Sequence, residues 1–212
     1  MKQKFSTLNT PIILFGNGEC PVHPSVLKII DKANTFICLD GGVDNLMTLG
    51  HTPDYILGDL DSLKQSRENY GCKVEPLNDQ NMTDLEKGLL WCCKNGIEEV
   101  SLVGSSGLRD DHSMATLFIL LNFASRIRIT LLSNYSEIHC IKRTTIFNTM
   151  PGQVISIIPV NLDTEITLDG LEYTLADEKL SFPSQGISNI AKNKTCTIKS
   201  TDWIWVILNH TK

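Results

Sequence analysis

The chain has 212 residues, 42% of them hydrophobic and 20% charged, with a formal net charge of −5. That length suits one large domain or two modest ones, and the balance is that of an ordinary globular protein. The acidic excess argues against nucleic acid as the main partner, which would require a basic face. No stretch reaches the roughly 20 apolar residues of a membrane span.

The amino-terminal MKQKFSTLNTPIILFG carries lysines and then a short apolar run, too short for a secretory signal, and reads as leading into a first buried strand at 11–16. A helix is expected at 23–33, where Val26, Leu27, Ile29 and Ile30 form an apolar stripe. A second strand follows at 35–40, a short helix at 43–50 and a third strand at 54–59. TDLEKGLLWCCKNG (83–96) reads as a helix closed by Gly96, and EEVSLVG (98–104) as a strand. DHSMATLFILLNFAS (111–125) reads as a largely buried helix, and RIRITLLS (126–133) as the strand after it. Apolar strands alternating with helices predict an α/β domain, a doubly wound and mostly parallel sheet with helices on both faces.

From about residue 141 the helical pattern vanishes. TTIFNTM, QVISIIPV, TEITLDG, EYTLADEKLSF, TCTIKS and DWIWVIL are short runs separated by Pro, Gly, Asn and Asp, which predicts an all-β sandwich or barrel. The expected division is an α/β domain over 1–140 and a smaller β domain over 141–212. Cys20, Cys38, Cys72, Cys92, Cys93, Cys140 and Cys196 form no CxxC pair, an odd count that reads as reduced thiols in a cytoplasmic protein.

Ligands of doubly wound sheets bind beyond the carboxyl ends of the strands. Four polar clusters fall there: DGG at 40–42, GDLDS at 58–62, NDQNMTD at 78–84 and GSSGLRDDH at 104–112. In an extended segment Asp59 and Asp61 share a face, and paired carboxylates suit a hard cation such as Mg²⁺; the competing reading makes Asp61 an N-cap for the residues after it. Thr83 and Glu86 fit a capping box and Asp84 suits a helix first turn, so helix physics explains those three but leaves Asp79 and Gln80 unexplained. GSSGLRDDH can present backbone N–H groups to an anion, with Arg109 as a phosphate fork; alternatively Asp110 or Asp111 simply caps the next helix. No GxxxxGK[ST] occurs, and GNGECP lacks the third glycine of a dinucleotide fingerprint. His112 reads as a packed or capping residue, and His23, His51, His139 and His210 are too scattered for zinc.

CLDGGVDNL, PDYILGDLDS, DQNMTDLEKGL and GLRDDH, in this order and followed by a β domain containing GISN, resemble the thiamine pyrophosphokinase family over nearly the whole chain. The resemblance implies transfer of a pyrophosphoryl group from ATP to the hydroxyethyl oxygen of thiamine, giving thiamine diphosphate and AMP. It also implies a C-terminal β-sandwich and a homodimer with active sites between subunits. On this basis Asp59 and Asp61 are expected to hold Mg²⁺. Asp40 and Asp84 support them, or Asp84 orients the thiamine hydroxyl. Gln80 would hold phosphate or substrate, Arg109 the phosphates, and Asp111 either Arg109 or a ribose hydroxyl. Ser188 and Asn189 are expected to contact the pyrimidine and Trp205 to stack on thiamine, a flat cation that suits an aromatic face; Trp203 shares its strand face. The chain departs from the family in its serine-containing GSSG turn, in Thr116 where asparagine is common, and in Asn81 where an acid is common. Two rivals are a nucleotide-sugar glycosyltransferase, which also uses a DxD after a strand, and a non-catalytic nucleotide or thiamine sensor. The first would release UDP or GDP in place of AMP, and the second would bind without producing AMP.

Overall fold

The computed structural model describes residues 8–211, so the lysine-bearing residues 1–7 of the expected leader into β1 lie outside the described residues. The chain divides into two compact units, Met1–Asn134 and Tyr135–Lys212.

Among the described residues the first unit contains six parallel strands: β1 (Ile12–Phe15), β2 (Thr35–Leu39), β3 (Tyr55–Gly58), β4 (Lys73–Pro76), β5 (Glu99–Val103) and β6 (Arg128–Leu132). Their order is β6-β5-β1-β2-β3-β4. The chain winds outward from β1 to β4, then returns to place β5 on the other side of β1. That reversal makes the crevice beyond β1 and β5 the switch point where such sheets take ligands. The central strands are buried along their whole length, as strands covered on both faces must be.

Helices α1 (Pro24–Ile30) and α2 (Gly42–Thr48) send Val26, Ile30, Val43 and Leu46 into one core with Ile13, Phe15, Phe36, Cys38 and Ile56. Helix α3 (Asp84–Lys94) covers the opposite face: a Cβ on Gly88 would collide with Leu39, whose side chain alternates with that of Cys38. Helix α4 (Asp110–Phe123) buries only Thr116, Leu120 and Phe123, and leaves Met114 64% and Phe118 69% exposed. The largely buried helix expected at 111–125 is thus half open, because an all-apolar pattern does not say which face meets the sheet. Residues 61–66, which the competing reading of Asp61 makes a capped segment, are irregular and lead only to a short 3₁₀ turn at Arg67–Tyr70, whose N-cap is Ser66. Asp61 is no N-cap.

The second unit begins with β7 (Ser136–Ile141), which pairs with β14 (Ile204–Asn209). The division expected at 140 therefore falls inside a strand: loss of helical periodicity marks the last helix, whereas strand pairing sets the boundary after Asn134. β9 (Val154–Pro159) flanks β14, and the two-residue β12 (Asn189–Ile190) flanks β9. A second antiparallel sheet runs β11 (Leu175–Lys179), β10 (Glu165–Asp169), β13 (Thr195–Ser200), β8 (Thr145–Asn148). Alternating side chains from both sheets, among them Phe147, Ile155, Ile157, Ile166, Ile198, Ile204 and Val206, form one core.

Both halves of the α3 capping box form: Glu86 N donates to Thr83 Oγ1 at 3.3 Å, and Thr83 N donates to Glu86 Oε2 at 3.1 Å. Thr83→Ala is expected to lower stability by about 1 kcal/mol in urea denaturation. An unchanged midpoint would show that tertiary packing alone fixes the helix start.

Candidate active site

Because the six strands are parallel, the segments after β2, β3, β4 and β5 leave the same edge of the sheet. Asp40 follows β2 in a left-handed backbone conformation (φ 44°) and is 4% exposed. Such strain in a non-glycine residue costs energy and tends to mark a working site. Asp59 and Asp61 follow β3 on either side of Leu60, which is also left-handed (φ 70°) and buried. The two carboxylates therefore meet through a turn and not along an extended segment.

Asp40, Asp59 and Asp61 each offer a carboxylate oxygen within 4.8 Å of the others. Asp40 is buried, Asp59 half-buried and Asp61 exposed, so the group opens from the interior to the surface. Asp40 Oδ1 and Asp59 Oδ1 are sealed from solvent and lack a hydrogen-bond partner among the described residues. Unpartnered buried carboxylate oxygens are costly. An oxygen-only donor set suits a hard divalent cation such as Mg²⁺ and does not suit zinc.

Asp84, in the first turn of α3, lies beside this group. Its Oδ1 is 2.6 Å from Lys87 Nζ. The approach is outside good hydrogen-bond geometry for that oxygen, but at such a separation it is an ion pair on distance alone. Lys87 Nζ is also 3.9 Å from Asp59 Oδ2. Burial pushes the Asp84 carboxyl above its ordinary range, Lys87 pulls it back, and the negative charges of Asp59 and Asp40 push it up again. Gly58 makes the cluster sterically possible: a Cβ there would lie 3.1 Å from Asp40 Cβ and 3.2 Å from Asp84 Oδ1, on a backbone with φ 147°.

Gln80 sits exposed in the turn before α3. Asp79 Oδ1 accepts hydrogen bonds from Asn81 N (2.9 Å) and Asn81 Nδ2 (3.1 Å), a local clamp that shapes this turn. At the switch point Gly16 N donates to Val103 O (2.8 Å) and Gly18 N to Gly104 O (2.5 Å), bringing the GNG and GSSG turns together. Thr116 Oγ1 donates to Ser105 O at 2.9 Å, and Ser113 Oγ accepts from Gly107 N at 3.1 Å, so α4 braces the GSSG turn from below. Arg109 and Asp111 form a two-pronged pair, Nε to Oδ1 at 3.1 Å and NH2 to Oδ2 at 2.6 Å, with both side chains about two-thirds exposed. Hydrogen bonding to Arg109 draws the Asp111 carboxyl down to about 2. His112 is exposed at the start of α4.

In the second unit Ser188 is exposed with φ 64°, and its N–H donates to Ser156 Oγ at 3.0 Å. Asn189 is buried, and its amide is engaged: Oδ1 accepts from Tyr173 N (3.0 Å) and Ile190 N (2.9 Å), while Nδ2 donates to Tyr173 O (2.7 Å). It holds the Ser188 turn in place. Trp205 lies on β14 opposite Cys140 and Ile158, half-buried and on the face away from the core residues Ile204 and Val206. Trp203 immediately precedes that strand.

The model of the thiamin pyrophosphokinase catalytic domain matches residues 26–131, and that of the thiamin pyrophosphokinase vitamin B1 binding domain matches residues 136–205. The chain belongs to the thiamin pyrophosphokinase family. It is therefore an enzyme, and its two matched segments meet where the two units divide. Thiamine pyrophosphokinase 1 of rice is 30% identical over 84% of this chain and 80% of its own length. Thiamin pyrophosphokinase 1 of Caenorhabditis elegans is 27% identical over 81% and 77%. The crystal structure of the Bacillus subtilis thiamine pyrophosphokinase shares the fold, with a TM-score of 0.80, 23% identity, and coverage of 95% of this chain and 99% of that one.

The family match spans Asp40, Asp59, Asp61 and Asp84 together with Lys87, which sequence reasoning missed. A lysine inside DLEKGLL reads as solvated; the available signal was its position three residues after Asp84, flanked by Leu85, Gly88 and Leu89. Gly58→Ala is expected to weaken divalent-ion binding about tenfold, from 1–2 kcal/mol of backbone strain and crowding of Asp40. A Mn²⁺ titration of the folded variant reads this directly, and wild-type affinity would detach Gly58 from the cluster.

Proposed function

We propose that this protein transfers the pyrophosphoryl group of ATP to the hydroxyethyl oxygen of thiamine, forming thiamine diphosphate and AMP, with Mg²⁺ required. The observation that carries this reading is the convergence of Asp40, Asp59 and Asp61, with buried unpartnered oxygens, beyond the strands of a family catalytic domain. Asp59, Asp61 and Asp40 would hold the ion, which when bound supplies positive charge to the phosphates. Asp84 stands either as a fourth carboxylate for the ion or as the acceptor that orients the thiamine hydroxyl.

The remaining contribution of the chain is positioning, which is most of what phosphoryl transfer asks of a protein. Gln80, exposed in its turn, offers an amide to phosphate or thiamine. Arg109 holds the phosphates, and its forked pair with Asp111 sets its orientation beforehand. The close-packed GNG and GSSG turns at the switch point favour nucleotide binding there. Ser188 contacts the pyrimidine, while Asn189, its amide already engaged, fixes the turn. Trp205 supplies an aromatic face for the thiamine cation.

We further propose a cytoplasmic homodimer. Its seven free cysteines and its exposed Met114 and Phe118 support this reading, and none of the described helices is long and apolar enough to cross a membrane.

Purified protein given ATP, Mg²⁺ and thiamine is expected to release AMP and thiamine diphosphate in equal amounts, measured by liquid chromatography. Asp59→Asn should lower turnover at least about 100-fold, the scale of one lost electrostatic contact in a transition state. Trp205→Ala should raise the thiamine KM about tenfold with a smaller effect on the KM for ATP. Saturable thiamine binding without AMP would establish a sensor instead.

A further inference from the structure

Among the described residues, the charged side chains sealed in the interior are Asp40 and Lys87. Lysine is almost never fully buried unless paired, and no part of the proposed reaction calls for this one. Its side chain is 5% exposed, with Nζ 2.6 Å from Asp84 Oδ1 and 3.9 Å from Asp59 Oδ2.

Its position is built in. Lys87 stands three residues after Asp84 on the same helix, so the two meet by helix geometry. The capping box fixes the start of that helix, and Gly88, the next residue, lets the helix close onto Leu39. The ammonium is thus held at one side of the acidic cluster. Asp40, Asp59 and Asp61 form the group with mutually close oxygens, and Asp84, the carboxylate on the lysine, falls outside it.

We propose that Lys87 is a positioning residue that keeps Asp84 apart from the divalent ion, leaving Asp40, Asp59 and Asp61 as the carboxylates of the metal and Asp84 for the substrate hydroxyl. Two consequences follow from charge alone. The fixed ammonium lowers the negative charge of the cluster, limiting its affinity for a cation, and it holds Asp84 in an ion pair through Oδ1, to one side of the three carboxylates. Without Lys87, Asp84 is released to the metal: binding tightens while the group meant for the substrate is lost. The inference rests on the metal-binding reading of the cluster and not on which alcohol or nucleotide reacts there.

Mn²⁺ titrations followed by electron paramagnetic resonance, on the full chain without ATP or thiamine, test this. Lys87→Met and Lys87→Gln should each bind Mn²⁺ about three- to tenfold more tightly than the wild type, as expected for losing one nearby positive charge. Asp84→Asn should bind more weakly, since Lys87 is then left to compete for Asp59, and Asp84→Asn combined with Lys87→Met should return close to wild-type affinity. Unchanged or weaker Mn²⁺ binding by the folded Lys87 variants would overturn the proposal and leave a purely structural ion pair. The wild-type protein supplies a second measurement that no folding defect can remove. The ¹H–¹⁵N signal of the Lys87 ammonium should persist at saturating Mg²⁺, and its loss would show that Asp84 abandons the lysine for the ion. If these results hold but no AMP forms from ATP and thiamine, the proposed reaction fails while the role of Lys87 stands.

Discussion

Repulsion between like charges is the constraint around which the N-terminal unit is arranged. Asp40, Asp59 and Asp61 bring oxygens within 4.8 Å of one another, and Asp84 lies beside them. Two unit charges 4 Å apart at an effective dielectric constant near 20 interact by about 4 kcal/mol, whereas a whole domain is stable by only about 5–15 kcal/mol. A cap or turn contributes about 1 kcal/mol and cannot offset such a cluster. Lys87 compensates part of it from within the fold, and the two buried unpartnered oxygens mark where compensation from within ends.

The parallel sheet makes this gathering affordable in backbone terms. All six strands of the unit leave by the same edge, so residues distant in sequence arrive together without long loops. The cost appears as local strain: Asp40 and Leu60 adopt left-handed backbone conformations, and Gly58 takes one that a side chain would block. These three positions surround the same carboxylates, which is where strain is expected to be tolerated. At the switch point the constraint is close backbone packing, with the GNG and GSSG turns hydrogen-bonded across β1 and β5 and braced by Thr116 and Ser113. Thr116 thus has a clear task in this chain.

The C-terminal unit solves a different problem. Its two antiparallel sheets bury one face each, and the alternation of β14 separates Ile204, Val206 and Leu208 in the core from Trp205 and Ile207 outside it. The Ser188 turn is held by the buried amide of Asn189, so the polar residues of GISN divide between one that is presented and one that does the holding.

The sequence by itself determined the α/β character of the first unit, the β character of the second, the capped start of α3 and the acidic positions Asp40, Asp59 and Asp61. Each rests on signals that act over a few residues: apolar period, capping pairs, and polar clusters just past a strand. It did not reveal that Leu60 turns left-handed, that α4 stays half open, or that the unit boundary falls at Asn134 and not within β7. Nor did it show that Lys87 points inward or that the amide of Asn189 is engaged. Those outcomes depend on which surface each element meets, and a lysine in a helix or an asparagine in a turn looks the same locally whether it faces water or an aspartate across the fold. Only the tertiary structure decides that, because burial and long-range charge are properties of the folded neighbourhood and leave no local periodicity.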